Sequence, residues 1–301
     1  MQPMSSALRF SRYLLLGVLL AAAFVVCSAS AQAAPVAPSQ PVVAAPAALG
    51  PSCRYGAAVL GSTQFKWMEP LAAGWFVTFG PTGDSDAQPE FVPVIRIRQN
   101  KQGCQYLPGF TVNPPLTAEG LGAEVQARRG HLWIVGNEPD RGPNPESCAQ
   151  GVQDDTYPDV YARAYHDIYT FIKRLDPTAR VANAGLVQVT PGRLQYLDKV
   201  WDSYKTLYGA TWPVDVWNMH LYVLPEVDPS GKPNGIAGVA LGTDPALGIR
   251  ESGNDKARCP DANVYCWAEH DDIAEFTKQV VAMRTWMKNK GEQQKPLMLS
   301  E

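Results

Sequence analysis

The sequence predicts an α/β fold, a (β/α)8 barrel of the TIM type, on three observations. Apolar, β-rich runs alternate with amphipathic helical patterns, the order that builds a parallel sheet covered by helices. No dinucleotide-binding glycine fingerprint follows the first strand, so the doubly wound nucleotide-binding alternative lacks its main signal. Polar residues gather at the carboxyl ends of the apolar runs, where barrels carry their working residues. They are Arg96 and Arg98, Asn137 and Glu138, Asn183, His220 and Tyr222, and Ser300 and Glu301.

The elements follow in chain order. Trp75 to Phe79 reads as a strand closed by Gly80-Pro81, and Phe91 to Arg98 as another with Pro93 near its start. Tyr55 to Leu60 is a candidate for one more early strand. Thr117 to Arg129 has a helical pattern, with Thr117 as N-cap and Gly130 as stop. Leu132 to Val135 is a short apolar strand running into Gly136-Asn137-Glu138-Pro139. Helices are expected at Tyr157 to Leu175, ended by Asp176-Pro177, at Arg193 to Tyr208, ended by Gly209, and at Ile273 to Lys290, ended by Gly291. Strands are expected at Arg180 to Ala184, Val214 to Val223 and Pro296 to Glu301. Leu224 to His270 is a Gly-, Pro- and Asp-rich excursion, long enough to suggest an ordered lid or cleft wall.

Composition narrows the class. Hydrophobic residues make up 46% and charged residues 18%, enough apolar material for one large core. The net charge is -3 and no basic stripe occurs, so nucleic acid is not an expected partner. Arg9 and Arg12, the apolar run Tyr13 to Val26 and the small-x-small site Ala31-Gln32-Ala33 read as a signal peptide over residues 1–33. The apolar run is short for a membrane span, so export with cleavage, a secreted or extracytoplasmic location and no stable membrane insertion are expected. Val26 before Cys27 argues against a lipoprotein. Residues 34–52 form an Ala/Pro-rich linker, and 53–301 the barrel domain.

Export permits disulfides. Cys259 and Cys266 flank a short polar loop and form the best local pair; Cys53 with Cys104 is a weaker pairing, and Cys148 is left over. Neither a Cys-x-x-Cys motif nor a His pair at metal-ligand spacing occurs, so no metal and no cofactor are expected. Asp84 and Asp86 read as a solvated turn in preference to a calcium loop. Trp133, Trp201, Trp217 and Trp286 are expected in the core. Trp67, Trp75, Trp212 and Trp267 are expected in the cleft or at the surface, where sugar rings stack on aromatic faces.

Asn137-Glu138-Pro139 after one strand, His220-Leu221-Tyr222 near the end of another, and Ser300-Glu301 at the end of a third resemble the large clan of (β/α)8-barrel glycoside hydrolases with two catalytic glutamates. Gly136-Asn137-Glu138-Pro139-Asp140 also looks like the small barrel glucanases of that clan. The likeness covers roughly Trp75 to Glu301. It implies that Glu138 is the acid/base and Glu301 the nucleophile. It further implies that Asn137 touches the sugar 2-hydroxyl, that His220 and Tyr222 frame the site, and that Arg96 or Arg98 orients the nucleophile. Trp75 is the candidate stacking platform for a sugar ring. The activity implied is cleavage of β-glycosidic bonds in a poly- or oligosaccharide by a retaining double displacement. The alternative is an inactive carbohydrate-binding protein on a degenerate barrel. An α/β-hydrolase esterase is disfavoured, since no Gly-x-Ser-x-Gly elbow occurs. A full barrel requires another strand and closing helices after Glu301. The expectation is therefore an incomplete barrel lacking its last β/α unit, unstable or inactive beside a longer chain, with the partner of Cys148 lying beyond residue 301. Oligomeric state is not legible.

Overall fold

The computed structural model describes residues 54–60, 64, 66–68, 70–83, 89–142, 148, 153–233, 237–251, 264–265 and 272–301. The expected signal peptide and linker, Cys53, Asp84, Asp86, Cys259, Cys266 and Trp267 lie outside the described residues.

The strands are β1 (Gly56–Ala58), β2 (Trp75–Val77), β3 (Glu90–Phe91), β4 (Val94–Gln102), β5 (Gln105–Asn113), β6 (Leu132–Val135), β7 (Arg180–Asn183), β8 (Trp217–Met219), β9 (Arg250–Glu251), β10 (Val264–Tyr265) and β11 (Leu297–Leu299). The helices are α1 (Ala123–Ala127), α2 (Pro158–Leu175), α3 (Pro191–Tyr208) and α4 (Ile273–Asn289). β1, β2 and β3 pair in parallel, as do β4, β6 and β7 and, separately, β8 and β11. A bond from Val94 N–H to Gly80 O links the first set to the second. A parallel bridge from Ala182 to Val216 links β7 to β8. Within these sets neighbours in sequence order are neighbours in space and run the same way, as the strand–helix alternation requires. The sheets do not close into a barrel. Among the described residues β1 and β11 are not paired with each other, and a cavity of about 780 Å³ is lined by both.

Alternation of side chains splits the core into two layers. Val77, Val92, Val94, Leu132, Ile134, Ala182 and Val216 cluster on one face of the strands. Ile95, Trp133, Val135, Val181 and Trp217 point the other way and pack with Tyr161, Tyr165 and Ile168 of α2 and Tyr196 and Val200 of α3. Strands buried on both faces have no room for polar positions, which explains the unbroken Leu132-Trp133-Ile134-Val135.

The helices start and stop where their chemistry dictates. Pro158 and Pro191 occupy the first turns of α2 and α3, where a missing N–H costs nothing. Asp272 caps α4 by accepting from the N–H groups of Ala274 and Glu275. Gly209 ends α3 in the left-handed conformation, φ 65°. The helix expected from Thr117 to Arg129 is shorter. Thr117 Oγ1 does accept from Gly120 N–H, but Gly120 leaves helical geometry, and α1 begins only at Ala123.

Three expectations need correction. Trp212 is buried, edge-on to Tyr165 and Trp217, and is not a cleft residue. Cys104 pairs with Cys148, not with Cys53, so Cys148 has its partner inside this chain. Residues between Arg98 and Thr117 form an antiparallel hairpin of β4 and β5 that the strand pattern did not reveal. The disulfide ties the turn of that hairpin to the segment that precedes α2. No described helix is long and apolar enough to cross a membrane.

Candidate active site

The site is assembled from three strand ends. Beyond β6 the chain turns sharply: Gly136 has φ 96° and Glu138 φ 46°. A Cβ on Gly136 would stand 3.1 Å from Ala184 Cβ and 3.2 Å from the Tyr161 ring, so packing as well as φ demands glycine. For glutamate the left-handed conformation is strained, and the neighbouring bonds must hold it. Glu138 N–H donates to Gly185 O at 3.0 Å, and Asn137 N–H donates to Asp154 Oδ2 at 2.8 Å.

His220 follows β8 and is buried. Its N–H donates to Leu186 O, and its ring lies flat against Gly185, where any Cβ would meet ring carbon Cδ2 at 2.1 Å. Its Nδ1 sits 3.1 Å from Glu138 Oε1 and 3.5 Å from Glu301 Oε1. Glu301 follows β11, fixed by Ser300 N–H to Met219 O and by Leu221 N–H to Glu301 O. Tyr222 OH donates to Glu301 Oε2. Burial and the Glu301 charge push that phenol up, so it remains a donor. One ligating atom from each of Glu138, His220 and Glu301 lies within 4.8 Å of the other two. The two carboxylates therefore share one small space, Glu138 deep and Glu301 partly open. Such a trio has the atom types to ligate a divalent cation as well as to move a proton.

The remaining expected residues divide. Asn137 adjoins the site, its amide donating to Gln153 Oε1 at 2.6 Å. Arg96 pairs through Nε with buried Asp154 at 2.6 Å and donates from Nη1 to Phe79 O. Through Asp154 that contact reaches the Asn137 turn, and His220 and Tyr222 meet Glu301. Trp75 lines the same cavity as Glu301, but stands at the amino end of β2, level with Gly56 and Glu90. Glu138 and His220 follow the carboxyl ends of their strands.

Other residues emerge only in three dimensions. Arg141 Nη1 approaches Glu138 Oε2 at 3.8 Å, and that oxygen is buried without a hydrogen-bond partner among the described residues. Asp140 is buried beside Arg193, whose Nε lies 2.8 Å from Asp140 Oδ2, and Arg193 also pairs with Glu226. Burial outweighs Arg193 and, with the Glu138 charge, pushes the Asp140 carboxyl up to about 6. Asp154 is likewise pushed up to about 6 by burial, against the pull of Arg96. Nothing in the residue types marked Asp154 out: Gln153-Asp154-Asp155 reads as an ordinary polar approach to a helix.

No family model and no curated protein matches the chain. Among solved structures, it is similar to a GH128 (subgroup III) curdlan-specific exo-β-1,3-glucanase from Blastomyces gilchristii in complex with glucose. The identity is 14% over 80% of this chain and 72% of that one, with a TM-score of 0.46. It is also similar to a GH128 (subgroup II) endo-β-1,3-glucanase from Sorangium cellulosum, at 12% identity over 83% of this chain and 88% of that one, TM-score 0.38. Likeness at these TM-scores decides neither fold nor activity.

Proposed function

We propose that the protein is a glycoside hydrolase that cleaves β-glycosidic bonds of a poly- or oligosaccharide with retention of configuration. Glu138 is its acid/base and Glu301 its nucleophile. The observation that carries this reading is the pair of carboxylates at two strand ends, within 4.8 Å of each other and facing one buried imidazole nitrogen. Retaining glycosidases hold their carboxyl groups about 5 Å apart, and inverting ones leave room for a water, at roughly 6.5–9.5 Å.

The chemistry follows from the two environments. Glu301 is the more open carboxylate and has Tyr222 holding one oxygen, which suits attack on an anomeric carbon entering from solvent. Glu138 Oε2, which accepts no hydrogen bond among the described residues, is the atom to deliver a proton to the leaving oxygen. In the second step Glu138 takes a proton from water, which displaces the sugar from Glu301. His220 Nδ1 faces both oxygens and keeps them in register. The charged N-terminus and following apolar run support export, so the substrate is expected outside the cytoplasm.

The experiment is hydrolysis of a panel of β-glucans, mannans and xylans, with the first-formed product anomer read by proton NMR. A β-anomer from at least one substrate is expected. An α-anomer would overturn retention. Tight sugar binding with no product from any substrate would favour the inactive carbohydrate-binding alternative.

A further inference from the structure

We propose that Asp154 is a positioning residue for Glu138, acting through the peptide of Asn137; this rests on the glycosidase reading above. Asp154 is fully buried and belongs to the segment before α2, not to any strand of the site. Among the described residues its carboxylate hydrogen-bonds to β4 and to the turn after β6. Oδ2 accepts from Asn137 N–H at 2.8 Å and from Ile97 N–H at 3.0 Å. Oδ1 accepts from Arg96 Nε at 2.6 Å. Its own N–H donates back to Asn137 O at 3.1 Å. One residue thus holds both the N–H and the C=O of Asn137, in the two successive peptide units that lead into Glu138, and ties them to the neighbouring strand.

The grip has a task. Glu138 sits at φ 46°, a conformation a glutamate does not hold unaided. Freed from Asp154, the Asn137 peptide can rotate and relax that strain, and the Glu138 carboxyl then swings off His220 Nδ1. Asp154 itself is firmly seated. Thr156 Oγ1 donates to its carbonyl at 2.9 Å, and Thr156 N–H donates to Pro139 O at 2.8 Å, closing a ring of bonds around the turn. The next residue, Asp155, is held by Lys101 and Tyr106 of the β4–β5 hairpin. The hairpin is thereby coupled to the aim of the acid without touching the reacting atoms.

A residue that aims the acid has a signature that mere structural support lacks. Its loss harms substrates that need protonation and spares those that do not. The experiment compares natural glycosides with aryl glycosides bearing activated leaving groups, in wild type, Asp154→Asn and, as a stability control remote from the site, Asp176→Asn. Asp154→Asn is expected to lower kcat on natural glycosides tenfold or more, with KM within twofold. On activated glycosides the loss should be under threefold, the pattern expected of Glu138→Ala. Asp176→Asn should lose thermal stability with the natural-to-activated rate ratio unchanged. Should Asp154→Asn not fold, Arg96→Gln removes the ion pair with Asp154, together with the bond to Phe79 O, and should shift the ratio in the same direction, less strongly. An unchanged ratio in whichever variant folds overturns the inference while leaving the glycosidase reading intact. Wild-type protein that turns over neither substrate class overturns both.

Discussion

At the scale of single residues, the account turns on a few buried charges. Glu138→Ala should reduce cleavage of natural glycosides by roughly 10²–10⁴-fold while sparing activated ones; equal loss on both, measured by steady-state kinetics, would remove Glu138 from the acid role. Asp154 offers a prediction independent of turnover. Its carboxyl is raised from the ordinary value of 3.8 to about 6, so between those values the folded chain holds a proton that the unfolded chain has released. Its contribution to stability is therefore fullest below about pH 4 and is lost as pH rises through about 6. Asp154→Asn does not titrate, so wild type should lose ground to the variant between pH 4 and 7, by on the order of 2 kcal/mol. Thermal unfolding of both at the two pH values checks it, and a constant gap would contradict it. The Glu138–His220–Glu301 trio raises a metal question that kinetics can answer. Hydrolysis should survive exhaustive chelation, since proton transfer and nucleophilic attack need no ion; loss with EDTA and recovery with zinc would reassign the trio as ligands.

At the scale of elements, the parts legible in the sequence were those whose signal is local. Leu132 to Val135 announced a buried strand because nothing polar interrupts it, and β1 fell within the candidate run Tyr55 to Leu60. Asn137-Glu138-Pro139 and His220-Leu221-Tyr222 could be placed at strand ends for the same reason. The β4–β5 hairpin was not legible, because Pro108 and Gly109 interrupt β5 and its burial is shallow. Trp212 was misplaced because its neighbours Tyr161 and Tyr165 come from α2, far earlier in the chain. Disulfide pairing is likewise a tertiary fact. Cys104 and Cys148 are 44 residues apart, and Cys104→Ser with Cys148→Ser should lower stability by up to about 4 kcal/mol in denaturant unfolding. A difference near zero would mean that the hairpin holds without its tether. Arg193 makes a stronger demand on α3. Arg193→Met would strand Asp140 and Glu226 without a buried counter-charge, at a cost of about 3–5 kcal/mol. Little change in the unfolding midpoint would show that water enters and solvates both carboxylates.

At the scale of the whole molecule, parallel strands in chain order carry polar residues from β6, β8 and β11 to one rim, although the sheets stay open between β1 and β11. That arrangement explains why residues as far apart in sequence as Glu138, His220 and Glu301 meet: each follows directly on a strand that points the same way. The central claim is that Glu301 attacks the sugar and carries it covalently. It is tested most directly by incubating the protein with a 2-deoxy-2-fluoro glycoside bearing an activated leaving group, then mapping the adduct by peptide mass spectrometry. The expected result is one sugar per chain, on Glu301, in wild type and in Glu138→Ala when the leaving group needs no proton. An adduct on another residue, or continued turnover with no adduct at all, would contradict it.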